Sequence, residues 1–225
     1  MSGFDYARRA PGKHTLRALW WDCAEMFCEI VLRMLYVVRV QGCERVPKSG
    51  AVIFLSNHQS YLDPVVNGIA TKDRQAGYLA RSSLFKFDIF GKIIASVGAI
   101  PLKEQSDMAA IRAAIHELQA GRCITIYPEG GRSEDGEVAA FQRGIALIIR
   151  RARVPVVPMA VEGPFRVWPH TQKLPRPFGR LLVAVGDSIP AATLLADADD
   201  GMARLHKAVC ELQRQLRRQS ERGHD

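Results

Sequence analysis

Two short stretches carry residue types that could do chemistry. In "SNHQSYLDP", Ser56 to Pro64, a histidine stands five positions before an aspartate. A neutral imidazole with an ordinary pKa of about 6.5 suits removal of a hydroxyl proton. A carboxylate on the other ring nitrogen would fix the tautomer and stabilise the imidazolium that forms. His58 is therefore the candidate base and Asp63 its orienter. The competing reading has Asp63 as the N-cap of a following helix, with Pro64 at the first helical position. In the second stretch, "PEGGRS", Gly130 and Gly131 allow close approach of backbone to a ligand. Arg132 offers a planar fork suited to phosphate, and Glu129 could bond an acceptor hydroxyl or pair with Arg132.

Both stretches follow apolar runs that read as buried strands, "AVIFLS" at 51–56 and "CITIY" at 123–127. Further strands are expected in "VPVVPMAVE" and "LLVAVGD". Helices are expected at 108–121, with Ser106 or Asp107 at its start, at 139–152, and at about 202–222, where Leu205, Val209, Leu212 and Leu216 share a face. Strands alternating with helices predict an α/β fold with a mainly parallel or mixed central sheet flanked by helices. In such sheets ligands bind beyond the carboxyl ends of the strands, where both loops would emerge.

The N-terminal region carries its own signal. Residues 1–14 read as a loose polar tail. From Leu16, apolar residues recur at 16, 19, 20, 23, 27, 30, 34, 37 and 38, which is helical spacing, with Asp22, Glu25 and Glu29 on the opposite side. This amphipathic helix could lie in a membrane interface or pack on the core. The expected division is a tail and helix over 1–38 and one domain over 39–225. No run of about 18 uncharged apolar residues occurs, so a spanning helix is not expected.

At 225 residues, 48% hydrophobic and 24% charged, the chain is of ordinary globular composition. Its net charge of +8 favours anionic partners, but no nucleic-acid reading motif accompanies it. The five cysteines match no zinc pattern and read as free thiols, and no metal is expected. Residues 164–180 hold four prolines and five basic residues, counting His170, without an acid, a segment unsuited to a regular helix.

Taken together, "NHQSYLD" and "YPEGGRS" resemble two signature motifs of the glycerolipid acyltransferases, the group that contains the 1-acylglycerol-3-phosphate acyltransferases. Those motifs are an Asn-His pair followed by Asp after four intervening residues, and Phe-Pro-Glu-Gly-Thr-Arg-Ser. Three further stretches fit in order: "YLARSSLFKFDIFGKIIASVGAIPL" at 78–102, "FQRG" at 141–144 and "VPVVPMAVEG" at 154–163. The resemblance covers roughly 40–190. It implies transfer of a fatty acyl group from a coenzyme A or acyl carrier protein thioester to a lysophospholipid hydroxyl, without a bound cofactor. It implies acceptor binding by Glu129, Gly130, Gly131 and Arg132, with Arg81 and Lys103 contributing. The implied partners are the thioester donor, the lysophospholipid, a membrane surface on its cytoplasmic face and, with that donor, acyl carrier protein. No Gly-x-Ser-x-Gly elbow is present, which favours direct attack by the acceptor over an acyl-enzyme. A thioesterase using the same histidine on water, or a non-catalytic lipid binder, are the alternatives.

Three departures bear on the acceptor. The family usually has Thr at the place of Gly131 and Lys at that of Arg81. After "GAIPL" it usually continues Asp-Arg, whereas this chain has Lys103 and Glu104. A carboxylate cannot replace a cation beside a phosphate.

Overall fold

A computed structural model describes residues 5–71, 74–103 and 107–222. Among these, seven strands form one sheet: β1 (Val37–Gln41), β2 (Ile53–Ser56), β3 (Ala76–Arg81), β4 (Ala99–Leu102), β5 (Cys123–Ile126), β6 (Val156–Glu162) and β7 (Arg180–Val185). Their order is β1-β7-β6-β2-β5-β3-β4, and all pairs are parallel except β6 with β7. The helices are α1 (Tyr6–Arg9), α2 (Thr15–Leu35), α3 (Asp63–Thr71), α4 (Asp88–Ser96), α5 (Met108–Gln119), α6 (Gly144–Ala152), α7 (Pro164–Val167), α8 (Ala191–Leu195) and α9 (Ala198–Arg222). The expected α/β architecture, with a mostly parallel sheet and an N-terminal helix, is what the chain adopts.

The central strands are apolar throughout because both faces of the sheet are covered. Alternation along β2 divides them. Ile53 and Leu55 join residues of α5, α6, α8 and α9 on one face. Phe54 points to the other, among Leu32 of α2 and Val66 and Ile69 of α3.

Three strands, β1, β3 and β4, are absent from the sequence reading. Val37 and Val38 continue the helical spacing of α2, yet α2 ends at Leu35 and both valines pair with β7, Val38 opposite Leu181. β3 holds a glycine, which the fold requires: a Cβ at Gly77 would stand 2.6 Å from the Gly98 carbonyl oxygen. The helix expected over 139–152 begins only at Gly144. The backbone before it is engaged elsewhere, Ala139 N–H donating to Glu129 and Gln142 N–H to the Pro128 carbonyl.

The described part of the tail is tied down, contrary to the sequence reading. Arg9 donates two hydrogen bonds to Asp22 at 2.8 and 3.1 Å, and the Lys13 ammonium lies 3.6 Å from the centre of a Trp21 ring. These contacts follow from the orientation of α2. Its acidic side is turned inward: Asp22 meets Arg9 and the Gln75 amide, and Glu25 lies against Gly68 of α3. Only Ala18, Trp21 and Leu32 are buried, while Leu16 (70% exposed), Phe27 (67%) and Met34 (78%) face outward. Phe87, Ile89 and Phe90 at the start of α4 are exposed as well. Trp20 Nε1 of α2 donates to Ser96 Oγ of α4 at 2.8 Å, joining the two helices. Among the described residues no helix is long and apolar enough to cross a membrane.

Candidate active site

β2 and β5 lie side by side in parallel, with Ile53 opposite Ile124 and Leu55 opposite Ile126. Extended past the strand ends, this register sets His58 beside Glu129. The two loops therefore leave the same sheet edge in contact. His58 N–H donates to Glu129 Oε1 at 2.8 Å, and Ser133 N–H donates to the His58 carbonyl at 2.7 Å. The preceding residue anchors the first loop to β6. Asn57 Nδ2 donates to the Val161 carbonyl (3.0 Å), and its Oδ1 accepts the Val161 N–H (2.8 Å).

His58 Nδ1 lies 2.7 Å from Asp63 Oδ2. A carboxylate accepts, so this contact assigns the proton to Nδ1 and leaves the Nε2 lone pair available as a base. Asp63 is fully buried. The same Oδ2 accepts the N–H groups of Gln59 (2.5 Å) and Ser60 (2.7 Å). The carboxylate is thus turned back into the loop that holds the histidine. These bonds replace the capping role that the sequence also allowed. The imidazole is supported from beneath by Tyr127, whose ring stacks at 4.1 Å with 21° between planes. Burial, with Asp63 nearby, holds the Tyr127 phenol neutral, and Asn67 Nδ2 donates to its oxygen at 3.3 Å.

Glu129 pairs with neither Arg132 nor an open position. Its second oxygen accepts the Ala139 N–H at 2.9 Å, so both oxygens serve the loop backbone. Burial pushes its pKa up to about 7, against the lowering effect of the two N–H donors. Arg132 lies with its guanidinium 3.6 Å from the centre of the Tyr61 ring and donates to the Tyr61 hydroxyl at 3.0 Å. Gly130 takes a left-handed backbone, φ 74°. Arg81, at the end of β3, reaches Gly131: a Cβ built there would be 3.6 Å from Arg81 Nη2, ordinary contact distance. Arg81 thus reaches the glycine loop, while the Arg132 guanidinium lies on Tyr61 of the histidine loop. Lys103 does not join them. It is exposed beyond β4, its backbone N–H donates to Asp107, and among the described residues its side chain bonds to neither loop. Glu104 and Ser106 lie outside the described residues. Tyr127 and Tyr61, both inside the two motifs, were not assigned roles from sequence, although aromatic residues flanking a base and a cation are natural supports for both.

The sequence matches the family model for acyltransferases over residues 37–162, more than half of the chain and inclusive of both loops. The chain belongs to the acyltransferase family. The chain is 26% identical over 150 residues to a chloroplastic 1-acyl-sn-glycerol-3-phosphate acyltransferase of Arabidopsis thaliana, covering 65% of this chain and 42% of that protein. It is 26% identical over 137 residues to the Bacillus subtilis 1-acyl-sn-glycerol-3-phosphate acyltransferase, covering 60% and 68%. The chain thus spans less than half the length of its plant relative. A crystal structure of PlsC, the 1-acyl-sn-glycerophosphate acyltransferase of Thermotoga maritima, shares the fold, with a TM-score of 0.79 and 23% identity over 89% of this chain and 81% of that one. Among the described residues no cluster of potential metal ligands occurs, and the five cysteines form no disulfide.

Proposed function

We propose that this acyltransferase moves a fatty acyl group from an acyl-CoA or acyl-acyl carrier protein thioester to the free hydroxyl of a lysophospholipid, 1-acylglycerol-3-phosphate in the first instance, in phospholipid synthesis or remodelling. The observation that carries this reading is the 2.7 Å contact between His58 Nδ1 and the buried Asp63, in a loop bonded to the Glu129 loop. His58 Nε2 takes the proton of the acceptor hydroxyl as its oxygen attacks the thioester carbon. The tetrahedral oxyanion collapses, the C–S bond breaks, and the leaving thiolate receives the proton from the imidazolium. Asp63 stabilises the imidazolium throughout. Arg132 and Arg81 supply cationic donors for the acceptor phosphate, a task for which planar guanidinium groups suit. No metal or bound cofactor is needed, since the thioester supplies the activated carbonyl.

The outward apolar side chains of α2 and α4 support attachment to a membrane surface. Leu16, Trp20 and Lys92 line a shallow groove between the helices, with Arg17 beside it, a mixture suited to the lipid headgroup boundary. On this reading residues 1–38 contain the membrane-associating segment, 39–225 form the acyl-transfer domain, and attachment is peripheral or monotopic on the cytoplasmic face.

Thiol release should be measured from both donors, with and without lysophosphatidic acid in mixed vesicles. Thiol release that requires the acceptor and is matched by phosphatidic acid formed is the expected result. Equal release without acceptor would instead make the protein a thioesterase. Another lysolipid as preferred acceptor would remove the assignment of 1-acylglycerol-3-phosphate.

A further inference from the structure

Behind the histidine loop lies a buried polar cluster with no part in the steps above. The Gln59 side chain is 1% exposed. Its Nε2 donates to the Gly136 carbonyl at 2.8 Å and to Glu162 Oε2 at 3.4 Å, and its Oε1 accepts the Phe165 N–H at 3.3 Å. Gln59 is also one of the residues whose backbone N–H holds Asp63. From the C-terminal helix α9, Gln213 Nε2 donates to the same two acceptors, at 2.7 Å to Gly136 and 3.1 Å to Glu162. Arg217, one turn further along, reaches Glu162 Oε2 at 3.4 Å and Glu137 Oε1 at 2.5 Å. Gly136 and Glu137 close the loop that begins at Glu129. The Gln213 amide on α9 therefore bonds the second loop at Gly136 and meets the first through Glu162 and Gly136, the acceptors it shares with Gln59.

The identity of residue 213 is informative. It falls on the stripe of α9 that buries Leu205, Val209 and Leu216, and is itself 3% exposed. A helix that only covered the sheet would be served by leucine there, because burying an amide costs free energy unless it is hydrogen-bonded. Glu162, also 3% exposed, is the last residue of the family match, and α9 lies wholly beyond it. The support thus comes from a segment that lies beyond the residues matched by the family model.

We propose that Glu162 and Gln213 are positioning residues for acyl transfer: they fix Gln59 and Gly136, and through them the orientation of the His58–Asp63 pair relative to the Glu129 loop. The inference rests on His58 being the base. A buried network of this kind is stiff when every member is satisfied and loses register when one donor is removed. Small displacements at a base are costly to rate even when binding is unchanged.

The test uses the full chain with Gln213→Met, which keeps length and loses both hydrogen bonds, and the pair Arg217→Met and Arg217→Lys. The readouts are kcat and KM for donor and acceptor, the imidazole ¹⁵N shifts of His58 in the free protein, and thermal unfolding. Gln213→Met is expected to lower kcat about tenfold or more and to change either KM less than about threefold. The His58 Nδ1–H signal should move or broaden, and Arg217→Lys should recover part of what Arg217→Met loses. A Gln213→Met protein that melts earlier but keeps wild-type kcat and wild-type imidazole shifts would reduce the cluster to a structural one and overturn the proposal. Should Gln213→Met not fold, Glu162→Gln, which keeps the shape and weakens the acceptor shared by Gln59 and Gln213, gives the same readouts, and wild-type values in it would overturn the proposal equally. His58→Ala with full activity would remove the base reading instead. The imidazole shifts then judge the positioning claim separately.

Discussion

Replacing Glu129 by Gln separates what the carboxylate does for the site from what it does for stability. Its two oxygens accept N–H bonds at 2.8 and 2.9 Å from His58 and Ala139. Gln keeps one acceptor and turns an NH₂ group toward the other N–H, losing one charge-assisted bond worth about 1.5–3 kcal/mol. If that loss falls on the relative placement of the two loops in the transition state, activity drops about 10- to 150-fold. Stability moves differently. The folded pKa of Glu129 is raised to about 7 from an ordinary 4.5, chiefly by burial. The folded state therefore holds its proton more tightly than the unfolded chain does. The stability this group contributes is complete below pH 4.5 and is lost as pH rises to about 7, in all about 3 kcal/mol. Gln cannot ionise and escapes that loss. Glu129→Gln is thus expected to be less active at pH 8 yet no less stable there. Its denaturation free energy minus that of wild type should rise between pH 4.5 and 7. Paired urea titrations across that range and a transfer assay at pH 8 provide the check. A stability difference that is flat with pH, or a variant with wild-type activity, would refute the reasoning.

Three other outcomes follow from the geometry. Asp63→Asn presents an NH₂ group to His58 Nδ1 or leaves the wrong tautomer, and should lower kcat by about 10²–10⁴-fold with little change in KM, read by steady-state kinetics. Phe27→Asp combined with Met34→Asp places charge on the outward face of α2 and should reduce binding to anionic vesicles by at least about tenfold, measured by co-sedimentation, with the unfolding midpoint nearly unchanged. Gly163→Ala puts a Cβ 2.0 Å from the Arg180 carbonyl oxygen at a residue with φ 101°, and should cost about 2–3 kcal/mol in urea unfolding because the β6–β7 reversal depends on that backbone.

The loops of the site were legible because each is short, contiguous and placed at the end of an apolar strand. A parallel register then did the rest, setting His58 beside Glu129 although 71 positions separate them. Periodicity also located α2, but it shows only that a helix has two different faces. Which face turns inward was decided by partners distant in sequence, Arg9 and Gln75 for Asp22. β1, β3 and β4 were missed for a related reason. Their short segments carry a helix-compatible spacing (β1), a glycine (β3) or a proline (β4), and only their pairing partners make them strands. Glu162 and Gln213 gave no sequence signal at all: one ends an apolar strand, and the other stands among the many polar residues of α9. Lys103 stands exposed at the end of β4, where its backbone N–H donates to Asp107.

The most direct test of the account is acyl transfer to lysophosphatidic acid by wild type and by a folded His58→Ala variant, followed as phosphatidic acid formed from each thioester donor. The account predicts transfer by wild type from at least one donor and a fall of at least about 10²-fold in the variant. Transfer by His58→Ala at the wild-type rate would contradict it.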